Sequence, residues 1–374
     1  MNNPTSSRAS RASRERDASL HKVVLDDLRQ MRWGRDYLRE LETLYYFYLD
    51  EERRAELARM GRIRRAFSVL FWILKSLLMK LSPARRVMLL IALICGVIGW
   101  NAVEIGGSVV QIDLRIWGFA LLLIVLMLEL RDKLLARDEI AVARQVQLAL
   151  LPSRHPNVPG WTVWSLSRPA NDVGGDLVDY IELDGFRHAV VLGDVAGKGL
   201  GAALLAAKLQ ATLRAIVPSA TSLDDLGNRV NAIFHRDGLD NRYATLFYAE
   251  LEHDSGHLRY LNAGHNPPFV IRSDGLEKLH ASSYPLGILA SATYEEGALD
   301  LEPGDVVVAY SDGLTEACNE AGEEFGMERL EAALPGLRNL PPEEIGSAIL
   351  RLVDRFLGEA RLTDDLSLAI LVRK

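Results

Sequence analysis

Four short acidic motifs could do chemistry in this chain of 374 residues. Each places an aspartate beside a glycine, a small residue or a second aspartate, at or near the edge of a β-like run. They are VGGD at 173–176, GDVAGKG at 193–199, SDG at 311–313 and TDD at 363–365. One Asp-Gly pair ordinarily marks a turn, but aspartates at several strand ends cannot be buried without partners. Hard divalent cations prefer oxygen ligands, so the set predicts a Mg or Mn site.

A longer, ordered set of motifs surrounds these aspartates. It comprises VQ at 146–147, LLP at 150–152, RPANDVGGD at 168–176, small residues at 202–207, NAGHNPP at 262–268, PLG at 285–287, YSDGLTEA at 310–317 and DDLS at 364–367. In this order, residues from about 142 to 373 resemble the metal-dependent PPM protein serine/threonine phosphatases, in their bacterial SpoIIE/RsbU-like branch. The resemblance covers about three fifths of the chain. It implies an α+β fold, a four-layer α-β-β-α sandwich.

The resemblance also implies a site for two metal ions, Mn2+ or Mg2+. Asp194 is expected to bridge them, and the backbone carbonyl of Val195 to add an oxygen ligand. Asp176 is expected to reach the metals directly or through water, and Asp312 and Asp364 to close the cluster from other strands. Two such ions activate a water and screen phosphate charge. The implied reaction is in-line hydrolysis of phosphoserine or phosphothreonine without a covalent enzyme intermediate.

Three further residues are assigned supporting parts. Asp365 stands where this family usually has Asp or Asn after the last ligand. Lys198 either neutralises phosphate charge or is a solvated residue at a helix start. His265 either donates a proton or fixes its turn by hydrogen bonds, and we favour the turn. Eukaryotic members have a histidine in an Asp-Gly-His-Gly motif, but the matching residues here are DVAG at 194–197. The acid for the leaving group is therefore undefined.

Periodicity indicates the elements that must position these residues. Alternating or continuous apolar runs predict strands at 161–167, 178–183, 189–193, 243–252, 258–262, 306–310 and 366–372. Helices are predicted at 200–216, 222–236, 327–333 and 342–356. Ser222 before two aspartates is a typical N-cap. The GxxxGKG run at 193–199 is too short for a nucleotide P-loop, and no Ser or Thr follows its lysine.

Composition limits the remaining interpretation. The net charge of −7 argues against nucleic acid as a partner. The two cysteines, Cys95 and Cys318, lie in unrelated contexts, so no disulfide is expected. The predicted organisation is a disordered tail at 1–16, an amphipathic helical region at 17–65, an interfacial helix and basic linker at 66–86, a transmembrane hairpin at 87–130, a linker helix at 131–150 and a phosphatase domain at 151–374.

Two apolar runs, at 87–103 and 114–130, predict the transmembrane hairpin. A buried pair of soluble helices is the alternative, because the runs approach core-helix length. Basic residues lie before and after the hairpin, and almost none lie between the two runs. Both ends of the hairpin are therefore expected in the cytoplasm. With the resemblance to a bacterial branch, this predicts a multi-pass protein of the bacterial inner membrane. The run at 66–81 contains Lys75 and Lys80, and it is either an interfacial helix, which we favour, or a third span.

Apolar residues seven apart continue from the end of the predicted hairpin into the linker helix. They are Leu128, Leu135, Val142 and Ala149. This spacing predicts a short parallel coiled coil, and hence a homodimer, or alternatively a single helix packed on the phosphatase domain. The resemblance, together with the predicted hairpin, implies a membrane-anchored phosphatase that acts on a cytosolic phosphoprotein, such as an anti-sigma-factor antagonist. The competing hypothesis is a catalytically silent, membrane-tethered module that binds such a partner.

Overall fold

A computed structural model describes Leu57 and residues 60–105, 108–152, 156–237, 242–281 and 283–374. The predicted tail at 1–16 and nearly all of the predicted helical region at 17–65 lie outside these residues. The chain divides into two compact units, Met1–Asp132 and Lys133–Lys374. Each unit is described separately.

Helices and one pair of strands form the described part of the first unit. Helix α1 spans Arg62–Lys80 and α2 spans Pro83–Ile98, starting with a proline at its first position. Strands β1, Trp100–Ile105, and β2, Ser108–Asp113, pair antiparallel. Helix α3 runs from Leu114 to Leu150, and the boundary between the units falls within it.

The strand pair corrects the predicted hairpin. Residues 100–103 were predicted to end a spanning helix, and 104–113 to be a loop. Instead, α2 ends before Gly99, whose positive φ of +69° is readily adopted only by glycine and does not continue the helix. The segments that follow are rich in valine and isoleucine, which favour strands. Gly106 and Gly107, predicted to form the external turn, lie outside the described residues.

The lengths and hydropathies of the helices bear on membrane insertion. Among the described residues, one helical segment, Leu200–Ser219, is long and apolar enough to cross a bilayer, and half of its apolar window is buried in the second unit. The predicted spans do not qualify. Helix α2 has 16 residues, and charged Arg115, Glu129 and Arg131 lie within α3. The structure therefore does not by itself support the transmembrane hairpin.

The second unit contains two five-stranded antiparallel sheets. Its strands are β3 Trp161–Arg168, β4 Asp176–Asp184, β5 Arg187–Val195, β6 Ala244–Glu252, β7 His257–Ala263, β8 Phe269–Ile271, β9 Leu276–Lys278, β10 Gly297–Asp300, β11 Val306–Tyr310 and β12 Leu366–Arg373. The first sheet has the order β10-β7-β6-β5-β4, and the second has the order β3-β12-β11-β8-β9. Its helices after α3 are α4 Leu200–Ile216, α5 Leu223–Asp237, α6 Asp312–Thr315, α7 Met327–Ala333 and α8 Pro342–Leu357.

Three apolar clusters hold these layers together. Residues of α4 and α5, such as Leu209 and Val230, pack on one face of the first sheet. The space between the sheets is filled from both sides, for example by Leu192 and Ala369. Ile349 of α8 and its neighbours cover the outer face of the second sheet. The order is therefore helices, sheet, sheet, helices, and the predicted α+β sandwich is confirmed.

The long elements lie close to their predicted positions, whereas short ones were missed. Strands β8, β9 and β10 and the one-turn helix α6 have too few residues to show a periodicity. The Ser222 hydroxyl accepts a hydrogen bond from the backbone N–H of Asp225 at 3.1 Å, so Ser222 is the N-cap of α5 as predicted.

Candidate active site

Strand pairing brings the first two aspartates together. Asp176 begins β4 and lies opposite Asp194 in the register of β5. Both have the same parity along their strands as Val178 and Leu192, which line the core between the sheets. Asp176 is buried, and Asp194 is half-buried. Two carboxylates 18 positions apart in the sequence thus meet at one end of the inter-sheet space.

The second sheet supplies the other aspartates. Asp312 opens α6 directly after β11, and Asp364 precedes β12, which pairs with β11. A Cβ at Gly313 would lie 2.1 Å from the carbonyl oxygen of Asp365, so only glycine permits this close approach. The glycine of the SDG motif therefore lets α6 pack against the chain that carries Asp364.

Asp365 binds the loop that leads to Asp176. Its Oδ1 accepts a hydrogen bond from the backbone N–H of Ala170 at 2.8 Å, and its Oδ2 accepts one from Gly175 at 2.6 Å. Both carboxylate oxygens are thereby engaged by backbone donors. The structure places Asp365 as a support for the VGGD loop.

Ser311 also belongs to the candidate site, although its sequence pattern did not predict a separate role for it. Its buried hydroxyl donates to Asp176 Oδ2 at 2.8 Å and accepts from the backbone N–H of Ser367 at 2.8 Å. It therefore fixes one oxygen of Asp176 and links the two sheets. Its position before the predicted ligand Asp312 was the available signal, but the direction of its hydroxyl could not be read from sequence.

Mutual repulsion and burial disfavour negative charge at the centre of the site. Burial, and then the charge of Asp194, raise the pKa of Asp176 well above its usual value. Burial, followed by the charges of Asp312 and Asp364, raises the pKa of Asp194 to about 7. Burial is also the first cause of the raised pKa values of Asp312 and Asp365. The group therefore favours a bound cation or protons.

The donor set fits a hard divalent cation in its chemistry. It consists of carboxylate oxygens together with the Val195 carbonyl, whose oxygen would lie 2.8 Å from a Cβ on Gly175. Across the described residues, however, no three acidic, histidine or cysteine side chains already form a ready metal-binding group.

Lys198 and His265 have defined contacts. Lys198 Nζ lies 2.9 Å from Asp364 Oδ2 and donates to the carbonyl of Thr363 at 2.7 Å, so it partly balances the acidic group. His265 is buried, with its Nδ1 2.8 Å from the Thr245 hydroxyl and its backbone N–H donating to Asn262. Burial lowers the pKa of His265 to about 4. These contacts suit a neutral histidine that fixes its turn.

Two more residues hold the loops of the site. Gln147, on α3, donates to the Gly174 carbonyl at 2.7 Å and accepts from its N–H at 3.1 Å. Arg242 donates to the carbonyl of Ala196 at 2.5 Å and covers Gly197. Gln147 belongs to the VQ motif, which was the available signal. Nothing in the local sequence marks Arg242.

Comparison with known proteins gives the family. The family sequence model described as "Stage II sporulation protein E (SpoIIE)" matches residues 184–374. Phosphoserine phosphatase RsbU of Bacillus subtilis is 28% identical over 246 residues, which cover 64% of this chain and 71% of RsbU. Protein IcfG of Synechocystis sp. is 28% identical over 265 residues, 63% of this chain and 41% of IcfG.

A solved structure has the same arrangement. The RsbU and RsbW domains of a Mycobacterium tuberculosis protein match with a TM-score of 0.52 and 26% identity, over 59% of this chain and 61% of theirs. This chain thus spans less than two thirds of that protein and of IcfG. Because the family match extends over half of the sequence and the PP2C-type two-sheet fold agrees with it, the chain belongs to the SpoIIE family.

Proposed function

We propose that this chain is a metal-dependent serine/threonine phosphatase. The observation that carries the proposal is the pairing of Asp176 with Asp194 across β4 and β5, facing Asp312 and Asp364 from the other sheet. Such a concentration of half-buried carboxylates is costly unless a cation binds there. The similarity to RsbU, named a phosphoserine phosphatase, supports the same activity.

The acidic residues of the site would act as metal ligands in the proposed reaction. Asp194 would be the central ligand for two ions of Mn2+ or Mg2+, and Asp176, Asp312, Asp364 and the Val195 carbonyl would complete the ligand set. Bound metals would supply an activated water and charge stabilisation for the phosphoryl group.

The supporting residues position the ligands. Ser311 orients Asp176, and Asp365 holds the VGGD loop through Ala170 and Gly175. Lys198, paired with Asp364, lies close enough to the site to attract an incoming phosphate. We assign His265 to the turn rather than to proton donation, because its buried ring has a lowered pKa.

The proposed substrate is a phosphorylated regulatory protein of a partner-switching system, such as an anti-sigma-factor antagonist. Similarity to RsbU, and to a structure with RsbU and RsbW domains, supports this class of partner. A phosphorylated protein also suits an open site built at the rim of two sheets.

Membrane anchoring is part of the proposal. Large apolar side chains are exposed along α2 and along the first half of α3, including Val97 at 86% and Phe119 at 68% exposure. Exposed apolar surface on this scale indicates contact with lipid or protein. Arg85 pairs with Glu129 at 2.8 Å and with Asp132 at 2.6 Å, which joins the start of α2 to α3. We infer insertion in the bacterial inner membrane, with the phosphatase domain in the cytoplasm.

A homodimer through α3 is the corresponding proposal for oligomeric state. Val142 and Val146 are 60% and 57% exposed, and Leu135 is 49% exposed. Their spacing of seven or four residues would place them along a helix seam that a second copy can cover. Such a seam would run along the same helix that carries Gln147, from the proposed membrane region toward that residue.

The test of function is turnover by the purified full chain in detergent or a lipid nanodisc. We expect it to release phosphate from a phosphoserine peptide in the presence of Mn2+ or Mg2+ and to stop in excess chelator. A silent binding module would instead hold the phosphorylated partner without releasing phosphate under any metal condition. Turnover that persists in chelator would contradict the metal mechanism.

A further inference from the structure

A groove lies beside the active site at the C-terminal end of α8. Its volume is about 370 Å3, and its walls include residues 168–170, residues 360–362 and the last turns of α8. Two of these walls continue into the site itself. Ala170 donates its N–H to Asp365 at 2.8 Å, and Arg361 precedes Asp364 by three positions. A molecule bound at the aspartates can therefore extend into this groove.

The groove has an unmatched positive charge. Arg168 pairs with Asp354 at 2.7 Å, so these two lining charges balance one another. Arg361 also lines the groove and is exposed, and no ion pair to it is found among the described residues. The nearby Glu320 accepts the backbone N–H of Glu359 at 3.2 Å. The charged residues that line the groove are two arginines, Arg168 and Arg361, and one acidic residue, Asp354.

We propose that this groove binds the substrate segment next to the phosphorylated residue, and that Arg361 selects an acidic side chain there. The inference rests on the proposed phosphatase function and adds its substrate preference. An extended chain advances roughly 3.3–3.6 Å per residue. The three steps from Arg361 to Asp364 span at most about 11 Å on that scale. The selected acidic residue is therefore expected within about three residues of the phosphoserine.

The test uses the full chain in detergent with Mn2+ and three phosphoserine peptides. They carry Asp, Ala or Lys at the positions three residues from the phosphoserine, and p-nitrophenyl phosphate serves to normalise each preparation. An exposed charge pair typically changes binding a few-fold. We expect kcat/KM for the Asp peptide to exceed that for the Lys peptide about fivefold at low salt. This preference should shrink at about 1 M salt, where charges are screened within roughly 3 Å.

Two variants of Arg361 assign the preference. Arg361→Glu should reverse it in favour of the Lys peptide, and Arg361→Gln should abolish it without adding a charge. Arg351→Glu is the matched control, because Arg351 is exposed on α8 and does not line the groove. It should keep the wild-type preference. Thermal unfolding of each variant checks that folding is retained.

The outcomes separate the two proposals. If the wild type hydrolyses all three peptides equally well, or if Arg361→Glu and Arg361→Gln keep the preference for Asp, the groove inference is wrong while the phosphatase function stands. If the wild type hydrolyses neither the peptides nor p-nitrophenyl phosphate, the proposed function fails and the groove inference falls with it.

Discussion

The side-chain amide of Gln147 makes two hydrogen bonds with the backbone of Gly174. The Nε2 donates to the Gly174 carbonyl at 2.7 Å, and the Oε1 accepts from the Gly174 N–H at 3.1 Å. Gly174 lies two residues before Asp176, and its neighbour Gly175 is held by Asp365. Helix α3 is therefore bonded directly to the loop that positions a candidate metal ligand.

Removing this contact should impair the site without removing a ligand. Gln147→Ala deletes two hydrogen bonds, each worth about 1 kcal/mol, and should weaken Mn2+ binding and lower kcat/KM about tenfold, as loss of an outer support does. Titration calorimetry and turnover measure the two effects. Gln145→Ala is the control, since Gln145 is exposed on the same helix. Equal behaviour of the two variants would show that the amide contact is unimportant.

Replacing the proposed ligand Asp194 should lower activity more than replacing the supporting residue Asp365. Asp194→Asn removes the proposed bridging charge, and its kcat is expected to fall at least about a hundredfold at saturating metal. Asp365→Asn keeps one acceptor for the VGGD loop and should instead weaken metal binding about 10- to 100-fold. Its activity should largely return in high Mn2+. If high Mn2+ restored the activity of Asp194→Asn as fully as that of Asp365→Asn, the assignment of Asp194 as a ligand and Asp365 as a support would be wrong.

The metal-free protein should lose stability as pH rises. The pKa of Asp194 is about 7 in the folded chain and is raised by burial first, whereas an unfolded aspartate titrates near 3.9. The folded state then binds the proton more tightly, so the stabilisation is complete below about pH 4 and is lost on going to about pH 7. Each pKa unit is worth about 1.4 kcal/mol.

Thermal unfolding in excess chelator at pH 5 and pH 7.5 measures this loss. Asp194→Asn should reduce the difference between the two pH values, because its side chain does not titrate. Added Mn2+ should restore the melting temperature of the wild type at pH 7.5. A wild-type domain that is equally stable at both pH values in chelator would contradict the raised pKa.

The exposed seam of α3 should control self-association. Val142→Glu introduces a charge at a site that is 60% exposed, so it should cost the isolated chain little but oppose a helix pair. Sedimentation in detergent should change from dimer to monomer. Arg137→Glu, a change on the same helix outside the seam, should leave the dimer intact. A monomeric wild type would refute the seam.

Topology can be measured by cysteine labelling. In a chain with Cys95 and Cys318 replaced by serine, Ser108→Cys at the start of β2 should react with an impermeant thiol reagent from outside the cell. Arg137→Cys should react only after the membrane is opened. The reverse pattern would exclude the proposed orientation, and labelling of a cysteine in the N-terminal tail from outside would indicate a third span.

Much of the fold could be predicted because its long elements carry their own periodicity. Helix α4 and strand β11 have the same bounds in the sequence prediction and the structure. The boundary of α2 was missed, because Gly99 ends the helix within an apolar run. Short strands such as β10 depend on their neighbours, since pairing with β7 rather than local pattern defines them.

The sequence by itself determined the chemistry, since it contains the aspartates and the glycines beside them. Only the tertiary structure decided which atoms meet. The register between β4 and β5 sets Asp176 against Asp194, and the packing of α6 directs Ser311 toward Asp176. The contact between Gln147 and Gly174 joins residues 27 positions apart. Such contacts depend on strand register and side-chain direction over long separations, which local residue patterns do not encode.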